Sequence, residues 1–244
     1  MLKNLIKGFL ELVYPHNCPV CQTFILPSHS QEIICDACAS LIERNHPPFC
    51  QKCSRPLGQK IHYPLCQECR LTKPYFDFAW SCLLYKDPLK NLIHQFKYKQ
   101  KTCLAIAFSQ WMLAFINAYH FDIKQFDLII PVPLHTARLR ERGYNQSYLL
   151  AHPIAKEFQI KISTTNIIRV RYTPPQVQLS QKERWTNIEG AFRIKSQNEI
   201  NNKNILIIDD LLTTGATASE IARTLKKAGA KTVGVLTLSV TEEK

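Results

Sequence analysis

Short apolar runs alternate along the chain with apolar residues at helical spacing. Four consecutive apolar β-formers, Ile205, Leu206, Ile207 and Ile208, follow the turn-former Asn204. A continuous run of that length predicts a strand buried on both faces of a parallel sheet. Residues 127–133, D-L-I-I-P-V-P, give a second such strand with a proline-marked exit. Residues 79–85, 163–170, 188–194 and 231–240 supply further strand candidates. Helical spacing predicts helices over 89–96, 104–119 and 146–158, with a kink at Pro153. Another helix carries Ile221, Ala222, Leu225 and Ala228 and closes at Gly229. An amphipathic helix over 2–13 ends before Pro15 and is expected to pack on the rest of the protein. Residues 171–185 are polar and carry no periodicity. Strands alternating with helices predict an α/β fold, a mostly parallel sheet flanked by helices.

A different pattern occupies the first third. Cysteines arrive as four C-x-x-C pairs: Cys18/Cys21, Cys35/Cys38, Cys50/Cys53 and Cys66/Cys69. Each pair can turn two thiolates toward one tetrahedral ion, and two pairs complete a four-sulfur set. The gaps within successive sets, 13 and 12 residues, are nearly equal. They predict two tandem zinc ribbons, each a knuckle, a hairpin and a second knuckle, paired in chain order. A crossed pairing remains open at this level. The segment holds few large apolar residues, so metal binding is expected to supply its folding energy. The expected boundary puts the N-terminal helix and ribbons in 1–74 and the α/β domain in 75–244. Cys82 and Cys103 lie outside the pattern and are expected to be small core residues.

The candidate chemistry lies just beyond the strand at 205–208. Asp209 and Asp210 are expected at its carboxyl end, followed by Thr213, Thr214, Gly215, Ala216 and Thr217 at the mouth of a helix. In open α/β sheets ligands bind at the carboxyl ends of strands. The first N–H groups of a helix lack internal partners and favour a phosphate. Carboxylates beside such a cradle suit sugar hydroxyls or a metal. Phosphate and diol side by side describe a ribose 5-phosphate. After the strand at 127–133 come Leu134, His135, Arg138, Arg140 and Arg142, whose guanidinium forks suit phosphate oxygens. Asn145 is placed to cap the next helix. The run Lys97-Tyr98-Lys99-Gln100-Lys101 suits a pyrophosphate or a single-stranded nucleic acid.

Composition adds a partner class. Thirty-one Lys and Arg against 19 Asp and Glu leave a net charge of +12, which favours polyanions. The first residues contain Lys3, Lys7 and Glu11 and no cleavage-site pattern, and no run reaches bilayer length. The expected location is the cytoplasm, where paired C-x-x-C motifs point to metal rather than disulfides.

The run I-I-D-D-L-L-T-T-G-A-T resembles the 5-phosphoribosyl 1-pyrophosphate (PRPP) signature of type I phosphoribosyltransferases. The cysteine knuckles, then V-P-L with R-x-R-x-R-G-Y-N-Q-S, then that signature, resemble the ComF family across essentially the whole chain. The resemblance implies a double zinc ribbon joined to a type I phosphoribosyltransferase-like domain. Asp209 and Asp210 would bind the ribose, directly or through Mg2+. Thr213, Thr214, Gly215, Ala216 and Thr217 would wrap the 5-phosphate. Leu134, His135, Arg138, Arg142 and Lys97 would serve the pyrophosphate. The polar stretch from Arg171 to Trp185, with Gln178 to Arg184 inside it, resembles in place the mobile lid of those enzymes. The partners implied are PRPP, single-stranded DNA and DNA-uptake machinery at the inner membrane, within natural transformation. Two other readings stay open: a nucleic-acid-binding adaptor with a non-catalytic PRPP fold, and a nucleotide-salvage enzyme.

Overall fold

The structure is a computed structural model that describes residues 17–25, 33–58, 63–172 and 181–242. The helix expected over 2–13 and most of the expected lid lie outside those residues.

The ribbon segment contains the short helices α1 (Asp36–Ala39) and α2 (Gln67–Thr72). Each opens on a second knuckle, with Cys35 and Cys66 as the N-cap residues. There follow β1 (Phe78–Leu84), α3 (Leu89–Tyr98), α4 (Leu104–Ala118) and β2 (Leu128–Pro131). Next are α5 (Thr136–Arg142), α6 (Gln146–Phe158), β3 (Lys161–Ile162) and β4 (Ile167–Arg169). The chain continues through α7 (Gln181–Ile188), β5 (Phe192–Ile194), β6 (Asn204–Leu212), α8 (Ala216–Lys227) and β7 (Thr232–Val240).

Among the described residues, five strands form one sheet in the order β1–β7–β6–β2–β3, every neighbouring pair parallel. The apolar run in β6 alternates between its two faces. Leu206 and Ile208 join Phe96, Phe108, Met112, Leu150 and Ile154 on the face covered by α3, α4 and α6. Ile205 and Ile207 join Ile221 and Leu225 of α8 on the other. The ribbons divide the same way. Cys18 and Cys38 belong to the first cluster; Cys50, Cys53, Cys66 and Cys69 belong to the second. Residues 43–45 run antiparallel along the outer edge of β1, with Asn45 N–H donating to Cys82 O and Leu84 N–H to Glu43 O, both at 2.9 Å. The ribbon segment therefore covers a sheet edge that would otherwise be open.

Several expectations are corrected. The strand expected over 163–170 shrinks to β4, which pairs antiparallel with β5, while β3 ends just before it in the main sheet. Asn166 staples that separate hairpin, its side chain bonding Ser196 N–H at 2.7 Å and Ser196 O at 3.0 Å. The strand expected over 188–194 shrinks to β5, because Ile188 ends α7 and Gly190 turns the chain at φ +69°. The aperiodic stretch 171–185 contains the start of α7. The arginine-rich exit of β2 holds α5 rather than open loop, its start capped by His135 Nδ1 accepting Ala137 N–H at 3.2 Å. Cys82 is buried as expected, but Cys103 is exposed ahead of α4.

Candidate functional site

The site forms where β2 and β6 part. β2 pairs with β6 as far as Pro131 opposite Ile208, and Val132 N–H makes one more bond to Ile208 O at 3.0 Å. Prolines 131 and 133 lack the N–H needed to extend that ladder. On the other side β6 stays paired with β7 through Leu212 opposite Val240. Asp209 and Asp210 are thus inside the strand, not after it, yet they stand past the end of β2. β3 and β6 lie on opposite sides of β2, so the acids occupy the crevice typical of ligand sites in open α/β sheets.

Asp210 is buried and Asp209 half-buried. Asp209 Oδ1 accepts Ser147 Oγ–H at 2.7 Å and Asp210 N–H at 2.9 Å. Burial, reinforced by the neighbouring Asp210 charge, pushes the Asp209 carboxyl up to about 7. Lys97, in the last turn of α3, places Nζ 2.6 Å from Asp210 Oδ2. Burial pulls the Lys97 ammonium down, but Asp210 and Asp209 outweigh it and leave its pKa above the ordinary value. Asn145 fixes Ser147: its Oδ1 accepts Ser147 N–H at 3.0 Å and Tyr148 N–H at 3.4 Å, while Nδ2 donates to Val132 O at 3.1 Å. The expected helix cap is also a tie between β2's exit and α6.

The rest of R-G-Y-N-Q builds the same corner. Gly143 takes φ +81° at the end of α5. Arg142 donates to Gln146 Oε1 at 2.5 Å and lies over the Tyr98 ring at 5.4 Å. The Tyr144 hydroxyl donates to Phe96 O at the end of α3. A cleft of about 120 Å³, lined by Lys97, Tyr98, Gln100, Arg138, Glu141 and Arg142, opens beside the acids. Arg138 lies over Tyr172, and His135 meets the same ring edge-on. Leu134 is half-buried next to them, whereas Arg140 is exposed.

The turn from β6 into α8 supplies the other half. Gly215 sits at the N-cap with φ +78°, and a Cβ there would lie 3.5 Å from the Phe76 ring. Thr214 is buried, and its Oγ1 accepts Ala216 N–H at 3.3 Å. Thr213 and Thr217 are half-buried at the mouth of the helix. Ser219 Oγ is spent elsewhere, accepting Tyr75 N–H at 3.0 Å.

The cysteines gather into Cys18, Cys21, Cys35, Cys38 and into Cys50, Cys53, Cys66, Cys69, the sulfurs of each set within 4.8 Å of one another. All are free thiols. Cys21–Cys35 and Cys53–Cys66 sulfurs are 3.6 Å apart. A tetrahedral zinc with bonds near 2.3 Å has sulfur–sulfur edges of about 3.8 Å. Cys66 N–H also donates to Cys50 Sγ at 3.3 Å. Donor type, number and spacing fit zinc in both sets.

Residues 9–70 match the family described as Double zinc ribbon domain, and residues 145–242 the family described as Phosphoribosyl transferase domain. The DNA utilization protein YhgH of Salmonella typhi is 33% identical over 227 residues, spanning 92% of this chain and 96% of that protein. Competence protein F of Haemophilus influenzae is 31% identical, spanning 83% of this chain and 88% of its own. Competence protein ComFC of Bacillus subtilis is 30% identical, spanning 81% and 80%. The chain belongs to the ComF family. Its architecture is the one the resemblance implied: a cysteine-rich double-ribbon module and a phosphoribosyltransferase-type parallel sheet.

Three residues of this ComF-family chain escape sequence reasoning. Ser147 reaches Asp209 from the first turn of α6, and its place just after a capping Asn was the available signal. Arg169 lies over Phe192 on the β4–β5 hairpin; burial pushes its pKa down, Arg138 and Arg171 add to that, and Asp209 opposes it. Arg55, in the second ribbon, touches the β6–α8 turn. No local pattern announces Arg169 or Arg55.

Proposed function

We propose that this chain is a PRPP-binding, phosphoribosyltransferase-like protein that acts in the cytoplasm on pathways handling single-stranded DNA. The observation that carries this reading is the meeting of Asp209 and Asp210 with the start of α8 at the parting of β2 and β6. Asp209 and Asp210 bind the ribose hydroxyls, and residues Thr213 to Thr217 receive the 5-phosphate. Arg138, Arg142 and Lys97, around the adjoining cleft, receive the pyrophosphate. The pairing of Lys97 with Asp210 supports a cation-accepting site, so Mg2+ bound with PRPP is held by the same acids. Mg2+ supplies neutralisation of the pyrophosphate charge.

Turnover, where an acceptor is present, is displacement at the anomeric carbon. The acceptor–carbon bond forms as the carbon–oxygen bond to pyrophosphate breaks, and the electron pair leaves with pyrophosphate. The arginines stabilise that leaving group through charge, and the aspartates hold the sugar in line. The DNA setting is supported by the relatives' names and by a net charge of +12.

Titration calorimetry with PRPP and Mg2+ tests this reading. The unaltered chain binds PRPP, and Asp209→Asn weakens binding at least tenfold while melting stays cooperative. Absence of PRPP binding by the unaltered chain overturns it.

A further inference from the structure

The second ribbon reaches into the candidate phosphate turn. Arg55 follows Cys53 by two residues, and its carbonyl accepts Cys50 N–H at 2.8 Å, so the knuckle fixes its backbone. Although charged, Arg55 is only 4% exposed. Its guanidinium crosses to the other module. Nη2 donates to Thr213 O at 2.5 Å and Nε to Thr241 O at 3.2 Å. Nη1 lies 3.9 Å from Glu68 Oε2. Glu68 stands between Cys66 and Cys69, is 7% exposed, and accepts Trp185 Nε1–H of α7 at 3.3 Å.

This arrangement orients a peptide. In a trans peptide the carbonyl and the following N–H point in opposite directions. A guanidinium holding Thr213 O on the ribbon side turns Thr214 N–H away from the ribbon, toward the opposite side of the turn. Left alone, that carbonyl could rotate into the space for a phosphate, where its partial charge would repel the ligand. The fork bonds two carbonyls at once, from Thr213 and from the residue just after β7, and a lysine could not hold both in that geometry.

We propose that Arg55 is a positioning residue for phosphate binding. The second zinc ribbon presets the β6–α8 turn, and metal occupancy of the Cys50/Cys53/Cys66/Cys69 set is linked to ligand occupancy of that turn. The first cysteine set packs on the opposite face of the sheet, where Pro19 O accepts Gln95 Nε2–H of α3 at 2.9 Å. It therefore serves as an internal control. The proposal rests on the PRPP reading above.

The test compares the unaltered chain, Glu68→Gln, and Glu68→Gln with Arg55→Met, the pair being used so that no buried carboxylate is left without its cation. Zinc content, melting temperature and PRPP affinity with Mg2+ are measured on each. Glu68→Gln binds PRPP within about twofold of the unaltered chain. Adding Arg55→Met weakens PRPP at least tenfold while both zinc ions are retained. In the unaltered chain, which requires no substitution to fold, saturating PRPP raises the concentration of chelating dye needed at equilibrium to remove one of the two zinc ions, by reciprocity of linkage. Unchanged PRPP affinity in the double variant, or zinc release indifferent to PRPP, overturns the proposal while leaving PRPP binding standing. Failure of the unaltered chain to bind PRPP overturns both.

Discussion

Replacing Asp209 by Asn should stabilise the protein, and more so as pH rises. Burial and Asp210 hold the Asp209 carboxyl near 7, against an ordinary value of 3.8. A raised carboxylate pKa means the folded chain keeps a proton the unfolded chain has already lost. Stability from this group is therefore full below about pH 4 and declines as pH climbs to about 7. At 1.36 kcal/mol per pH unit the whole decline is about 4 kcal/mol, of which about 2 kcal/mol falls between pH 5 and pH 7. Asn cannot ionise, yet its oxygen can still accept from Ser147 Oγ and Asp210 N–H. Its advantage over the parent should grow by about 2 kcal/mol across that interval. For a chain of this length that is about 4 °C in melting temperature. Calorimetric melts of both proteins at pH 5, 6, 7 and 8 measure the difference. A difference that stays flat with pH, or an Asn variant less stable at pH 8, refutes the account of Asp209 as a strained acid. A stability gain with loss of PRPP affinity would mark the site as one where binding is bought with folding free energy.

Two further outcomes follow from the same geometry. Lys97→Met strips the cation from Asp210, which is 2% exposed, and should cost about 3–5 kcal/mol in urea melts at neutral pH; adding Asp210→Asn should restore most of it, and a loss below about 1 kcal/mol would sink the pairing. Gly234→Ala puts a Cβ 2.8 Å from Phe126 Cζ and 3.0 Å from Phe78 Cε2, so this substitution in the interior strand β7 should cost about 1–3 kcal/mol; an unperturbed melting curve would contradict that packing.

Much of the molecule was readable in the sequence because its signals are local. The C-x-x-C spacing announces each knuckle, and four apolar residues before two acids announce β6. Asn145 declares itself as a cap by residue type and position. What stayed hidden depends on partners distant in sequence. Whether β6 stops at Ile208 or continues to Leu212 is decided by β7, whose run persists beyond the point where prolines end β2. The exposed Cys103 and the shortening of the strand at 163–170 to β4 likewise follow from neighbours that no window of ten residues contains. Arg55 is the clearest case. Among Ser54 and Pro56 it reads as a solvated turn residue, and only folding brings it to Thr213, 158 positions away.

The place of β1 has a consequence for how the chain is made. Ser81 and Thr237 share a hydrogen bond at 2.7 Å across 156 positions of sequence. The strand that emerges earliest from the ribosome must wait for β7 before it gains its sheet neighbour. In the interval its other flank can already dock on residues 43–45, and Asn45 Nδ2 can bond both Ser54 O, at 2.7 Å, and Ser81 O, at 3.0 Å. A ribbon segment folded ahead of β7 would therefore cover one flank of β1 during that interval.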